Sequence, residues 1–191
     1  MNLESRIFRI VSYIGIALLA LATLVVLMRG DWSGVTLLGV FLVASILFVG
    51  FEDRLPALFD TLFVLAAIIN AAGWVWGLYQ PVFGYDEVAH FFTTFAVTLA
   101  VGYLLLFVMR EHFREHRLHY VIVVTSFGVT LGAWWEVVEF FLLKKLHDPV
   151  NDIIVDSFGA LLAGCLAAWA LTRKVPSAEE RRNSASSASP S

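Results

Sequence analysis

The sequence predicts an all-α fold, a polytopic transmembrane helical bundle of about six helices, on the strength of three observations. Hydrophobic residues make up 59% of the 191 residues and charged ones 15%, against about 25% charged in soluble domains, too few to cover a soluble fold of this size. Six apolar stretches, about 7–28, 33–51, 56–80, 86–109, 119–143 and 150–172, each reach the roughly 20 residues that a helix needs to cross a bilayer. Between them stand residues that stop helices or face water: Arg29-Gly30-Asp31, Glu52-Asp53-Arg54 ahead of Pro56, Gln80-Pro81, Arg110 to His119, and Lys144-Lys145 to Pro149.

The first stretch contains Ala20-Leu21-Ala22, which resembles a signal-peptide cleavage site, but the apolar run continues through Leu27 and Met28. That length predicts an uncleaved anchor. The links from first to second stretch and from second to third are short, which predicts two helical hairpins. The membrane domain is expected over 1–174. Residues 175–191 hold Ser, Ala and charge without hydrophobic periodicity and predict a disordered tail.

Orientation follows from the distribution of positive charge, since cytoplasmic loops collect Lys and Arg. One side holds Arg6, Arg9, Arg54, Arg110, Arg114, Arg117, Arg173, Lys174, Arg181 and Arg182, ten of the thirteen Lys and Arg, and the other holds Arg29, Lys144 and Lys145. Both termini are therefore expected in the cytoplasm and the protein in the plasma membrane. Trp32, Trp74, Trp76, Trp134 and Trp135 fall toward the outer half, and an interfacial aromatic belt accounts for most of them. A net charge of −3 gives no footprint for nucleic acid. The single cysteine, Cys165, excludes an intramolecular disulfide. Nucleotide-binding loops, serine-nucleophile elbows, HExxH motifs and organic-cofactor motifs are missing from the sequence.

Chemistry gathers in the last three stretches. The fourth opens Tyr85-Asp86-Glu87-Val88-Ala89-His90, the fifth closes Trp134-Trp135-Glu136-Val137-Val138-Glu139, and the sixth opens Asn151-Asp152-Ile153-Ile154-Val155-Asp156. Asp86 and His90 are four residues apart, Glu136 and Glu139 three, Asp152 and Asp156 four, so each pair shares a helix face. At 1.5 Å per residue, His90, Glu139 and Asp156 lie roughly 6–8 Å below the outer surface and Glu136 roughly 12 Å. Three pairs reach similar depths from one side. Gly128, Gly132, Ala160, Ala163, Gly164 and Ala167 continue these faces with small residues that let membrane helices approach closely. A polar pocket open to the outside is expected above them.

Five carboxylates beside one histidine cannot all stay ionised in a partly dry pocket without compensation, and the three stretches contain no Lys or Arg. Either protons or a bound cation must neutralise them. A carboxylate-rich set with one His suits Mg²⁺, Mn²⁺, Ca²⁺ or Fe²⁺, and zinc also binds such ligands. The competing account for Asp86, Glu87 and Asp152 is capping at helix starts, where acids suit the dipole; it is the better account of Glu87. His90, Glu136, Glu139 and Asp156 lie deeper, where ionisable groups are expensive and usually functional, and hydrogen-bonded helix glue is their alternative. Asp60 reads as a dipole-matched acid in the first turn of the third helix, and Asn70 as interhelical glue. His112, His116 and His119 read as part of a solvated charged loop.

Over roughly 84–170 the chain resembles VanZ-like and YjdF-type membrane proteins, through Tyr85-Asp86-x-x-x-His90, Glu136-x-x-Glu139 and Asp152-x-x-x-Asp156-x-x-Gly159. Glu139 matches the YjdF form, since VanZ-like members often carry Gln there, and Asp156 stands where they usually carry Asn. The founding VanZ protein is associated with teicoplanin resistance, so the resemblance implies a role at the cell envelope. Three functions fit: a metal-dependent enzyme acting on a lipid or envelope precursor at the outer leaflet, a proton- or cation-coupled transporter, and a non-catalytic envelope or assembly factor. A transporter needs polar access from both sides. The inner halves of the fifth and sixth stretches, Tyr120 to Ser126 and Leu161 to Trp169, are mostly apolar, which favours a one-sided enzyme or binding site.

Overall fold

The structure, a computed structural model, describes residues 3–50, 56–79, 81–143 and 149–173, with side chains described outside 106–115, 142–143 and 170–173. Those residues form six helices: α1 (Leu3–Met28), α2 (Trp32–Gly50), α3 (Ala57–Trp76), α4 (Tyr85–Glu115), α5 (Arg117–Leu143) and α6 (Pro149–Arg173). All six are long and apolar enough to cross a membrane, and among the described residues there is no strand. The chain is an all-α bundle of a multi-pass membrane protein. Ile14, Leu21, Val43 and Phe141 stay exposed on its outside, as lipid-facing side chains should. The predicted tail, Arg54 and Lys144-Lys145 lie outside the described residues.

Local chemistry sets the helix ends. The Asp31 carboxylate accepts the Gly34 N–H at 3.0 Å and so caps α2. Its other oxygen takes the Trp74 indole N–H at 2.5 Å, and Arg29 donates to the Val75 carbonyl at 2.7 Å. The α1–α2 turn is thereby fastened to the end of α3 through Trp74 and Arg29. The sequence put the end of the third helix at Gln80, but it ends at Trp76. Gly77 takes the left-handed conformation with φ 64° and returns its N–H to the Gly73 carbonyl, and Leu78 bonds the same oxygen at 2.9 Å, a glycine stop that an apolar run conceals.

Two further expectations need correction. The charged segment expected as a loop from Arg110 to His119 is helical through Glu115, and the break narrows to His116. Its residues include neither Gly nor Pro, so the backbone has no reason to leave the helix. His116 and His119 are exposed with ring centroids 5.2 Å apart; the His112 side chain lies outside the description. Asp60 is in the first turn of α3, as expected, but it is fully buried and faces Arg9 of α1 at 3.4 Å. Arg9 also donates to the Val49 carbonyl of α2 at 2.9 Å, so one guanidinium ties three helices together.

The helices pack as two groups, α1–α3 and α4–α6, with α3 against α4 and Phe41 of α2 meeting Trp135 of α5 at 5.7 Å between ring centroids. Membrane helices gain little from burying apolar surface against each other, so small residues decide how closely they approach. A Cβ on Gly159 would stand 2.6 Å from the Phe91 carbonyl oxygen of α4, and one on Gly164 would stand 2.8 Å from Thr125 Oγ1 of α5. These glycines bring α6 against both neighbours. Toward the other end of α4–α6, Leu99, Tyr120, Val124, Ala163, Ala167 and Ala168 form a mainly apolar core.

Candidate functional site

The close packing delivers the acidic faces of α4, α5 and α6 to one place. Gly132 has no Cβ, and the space that one would fill is taken by the Asp156 carboxyl group. Asp156 is thereby drawn in beside α4, where Thr94 Oγ1 donates to its Oδ1 at 2.6 Å and His90 Nδ1 lies 3.5 Å from its Oδ2. His90 Nδ1 is also 3.7 Å from Glu136 Oε1, and Nε2 is 3.7 Å from Asp86 Oδ1. His90, Glu136, Asp152 and Asp156 are buried; Asp86 and Glu139 are half-buried.

Two sets of side chains offer ligand atoms within 4.8 Å of one another: Asp86, His90 and Asp152, and His90, Glu136 and Glu139. Oxygens held at about 2.1–2.5 Å by one cation stand at most about 4–5 Å apart, so the donor spacing fits a single ion in either set. Asp156 belongs to neither set. The Glu136 Oε1 atom is buried and has no hydrogen-bond partner among the described residues, which leaves a strong acceptor facing the histidine.

Glu87 is half-buried and accepts from Asn151 Nδ2 at 3.4 Å, bridging α4 to α6 at the rim. The residue at the N-cap of α4 is Gly84, with φ 77° and no side-chain cap bond; Asp86 and Glu87 follow it in the first turn, close enough to favour the dipole without capping it.

Two residues at the site carried weaker sequence signals. Asn70, expected as interhelical glue, donates from Nδ2 to Thr93 Oγ1 of α4 at 2.8 Å. Tyr79, in the turn between α3 and α4, donates its hydroxyl to the Asn70 backbone oxygen at 3.0 Å or to Asn70 Oδ1 at 3.2 Å. Burial, then the neighbouring Asp86, Tyr85 and Glu139, holds the Tyr79 phenol well above its ordinary range, so it stays protonated and remains a donor. Its only sequence signal was an aromatic just past Gly77. A cavity of about 160 Å³ adjoins His90 and Asp156 and reaches Trp135 and Phe41.

A family model described as Predicted membrane protein (DUF2238) matches residues 7–173. The chain belongs to that family. The match spans all six helices, so α1–α3 are part of the family's fold along with the acidic half. A search of curated proteins and a search of solved structures each return no match.

Proposed function

We propose that the protein is a divalent-metal-dependent membrane enzyme acting on a lipid or cell-envelope precursor at the outer membrane face, with both termini in the cytoplasm. The observation that carries this is the meeting of carboxylates from three helices around His90, in spans that hold no Lys or Arg. Asp86, His90 and Asp152 hold the ion, with His90 binding through Nε2. Asp156, itself fixed by Thr94, accepts the Nδ1 proton and keeps Nε2 free for metal, the usual role of a carboxylate behind a metal-bound histidine. Glu136 and Glu139 stand on the other side of the ring and complete the negative field.

An ion in this position would polarise a phosphoryl or carbonyl oxygen or lower the pKa of a bound water. Mg²⁺, Mn²⁺, Fe²⁺, Ca²⁺ and Zn²⁺ all suit a set of one imidazole and several carboxylates. The likeness of the three acidic motifs to VanZ-like and YjdF-type proteins supports an envelope role. The apolar core beyond the site supports a one-sided pocket over a transport path.

Metal analysis of purified protein tests the proposal. Wild type is expected to carry about one divalent ion per chain, Asp152→Asn far less because ligand charge sets affinity for hard cations, and Glu87→Gln the same as wild type. Equal metal content in all three overturns it and brings forward carboxylates neutralised by protons, as a transporter would use them.

A further inference from the structure

The cavity beside the acidic cluster has a direction. His90, Thr94 and Thr98, all in its lining, recur every four residues and so mark one face of α4 over roughly 12 Å. The cavity therefore runs from the charged site toward the middle of the bundle, parallel to the way a lipid chain runs from its head group.

Its walls are less polar than their names suggest. Asn70 Nδ2 is bonded to the Ala66 carbonyl at 2.9 Å and to Thr93 Oγ1 at 2.8 Å, and the Thr94 hydroxyl is bonded to Asp156. These groups have partners within the protein and turn mainly carbon toward the space, alongside Phe41, Val97, Leu131 and Trp135. Thr98 Oγ1 is the exception: it is buried with no hydrogen-bond partner among the described residues, a single polar atom at the inner end. At the side, Leu131 is 38% exposed on the surface that α5 turns to the bilayer, so a chain can enter sideways from lipid.

We propose that this cavity is the substrate slot for a membrane lipid, holding the first carbons of one hydrocarbon chain while the oxygen-bearing end of the same molecule meets the His90 cluster. A volume of about 160 Å³ takes roughly five carbon-sized groups at about 30 Å³ each, the share of a water in the liquid. A slim chain next to its ester, ether or phosphate linkage fits; a sugar or a peptide, with many hydrogen-bonding groups, finds too few partners here. The inference deepens the enzyme reading by naming the substrate class, and rests on it only for what the head group does.

The probes are two uncharged fatty-acid methyl esters reconstituted with the full-length protein, one with a photoreactive diazirine near the ester end and one with it near the far end of the chain. The first is expected to label Val97 and Leu131, and the second residues that face bulk lipid. Val97→Phe fills the slot and is expected to cut the first labelling at least about tenfold, as losing a few buried methylenes at about 0.8 kcal/mol each implies, while the second is unchanged. Leu131→Phe, at the exposed edge of the slot, is expected to act in the same direction. Identical labelling by the two probes, or labelling indifferent to both substitutions, overturns the slot. Metal content of the same samples separates the two readings: slot labelling without metal upholds the slot and rejects the metal centre, and metal without slot labelling does the reverse.

Discussion

The two halves of the bundle treat buried charge in opposite ways. In α1–α3 the buried Asp60 has Arg9 at 3.4 Å, and Ser12 and Thr61 hydroxyls pair beside it at 3.0 Å. In α4–α6, Asp86, Glu136, Glu139, Asp152 and Asp156 surround one imidazole, within apolar stretches (86–109, 119–143 and 150–172) that hold no Lys or Arg. The first arrangement is balanced and joins helices. The second is unbalanced, and a cluster of like charge in low dielectric persists only where a cation or protons complete it. A buried charge matched one to one reads as structure, whereas a surplus of acids around a single imidazole reads as a binding site.

The largest expected effect breaks the balanced half. Arg9→Met leaves Asp60 buried without its cation and should cost about 3–5 kcal/mol, measured by thermal unfolding in detergent. The double variant Arg9→Met/Asp60→Leu should recover most of that loss, because replacing both members of a buried pair with apolar groups is often neutral. If the double variant is as unstable as the single one, the pair does more than hold helices together.

Gly159→Ala should be next, at about 1–3 kcal/mol, from pressing a methyl group against the α4 backbone at a site where a Cβ would sit 2.6 Å from the Phe91 oxygen. The same unfolding assay reads it. A smaller effect of opposite sign sharpens the contrast between the halves. Glu139→Gln removes one like charge from the unbalanced cluster, so the metal-free protein should gain on the order of 1 kcal/mol and draw less stabilisation from added metal than wild type does. Smallest is Asp31→Ala, which removes the α2 cap and should cost about 1 kcal/mol with metal content untouched.

The six helices were legible because apolar length is a strong signal, and the acidic motifs because ionisable residues inside such runs stand out. Their meeting around His90 rests on the small residues Gly132 and Gly159 that the sequence also displayed. The end of α3 was hidden because Gly77 looks like one more small apolar residue until its backbone conformation is known. The Arg9–Asp60 pair was missed because its members lie 51 positions apart and each alone looks like an ordinary helix-end charge. Tyr79 and the cavity depend on how α3, α4 and α5 approach one another, which no local pattern encodes.

Binding of Mn²⁺ followed by electron paramagnetic resonance tests the claim that the unbalanced cluster is completed by a cation. Wild type should take up about one ion per chain at about pH 8 and bind much more weakly at about pH 5, because protons compete for carboxylate and imidazole ligands. His90→Ala, which removes the residue common to both ligand sets, should abolish that site. Equal Mn²⁺ binding by wild type and His90→Ala at both pH values would contradict the account.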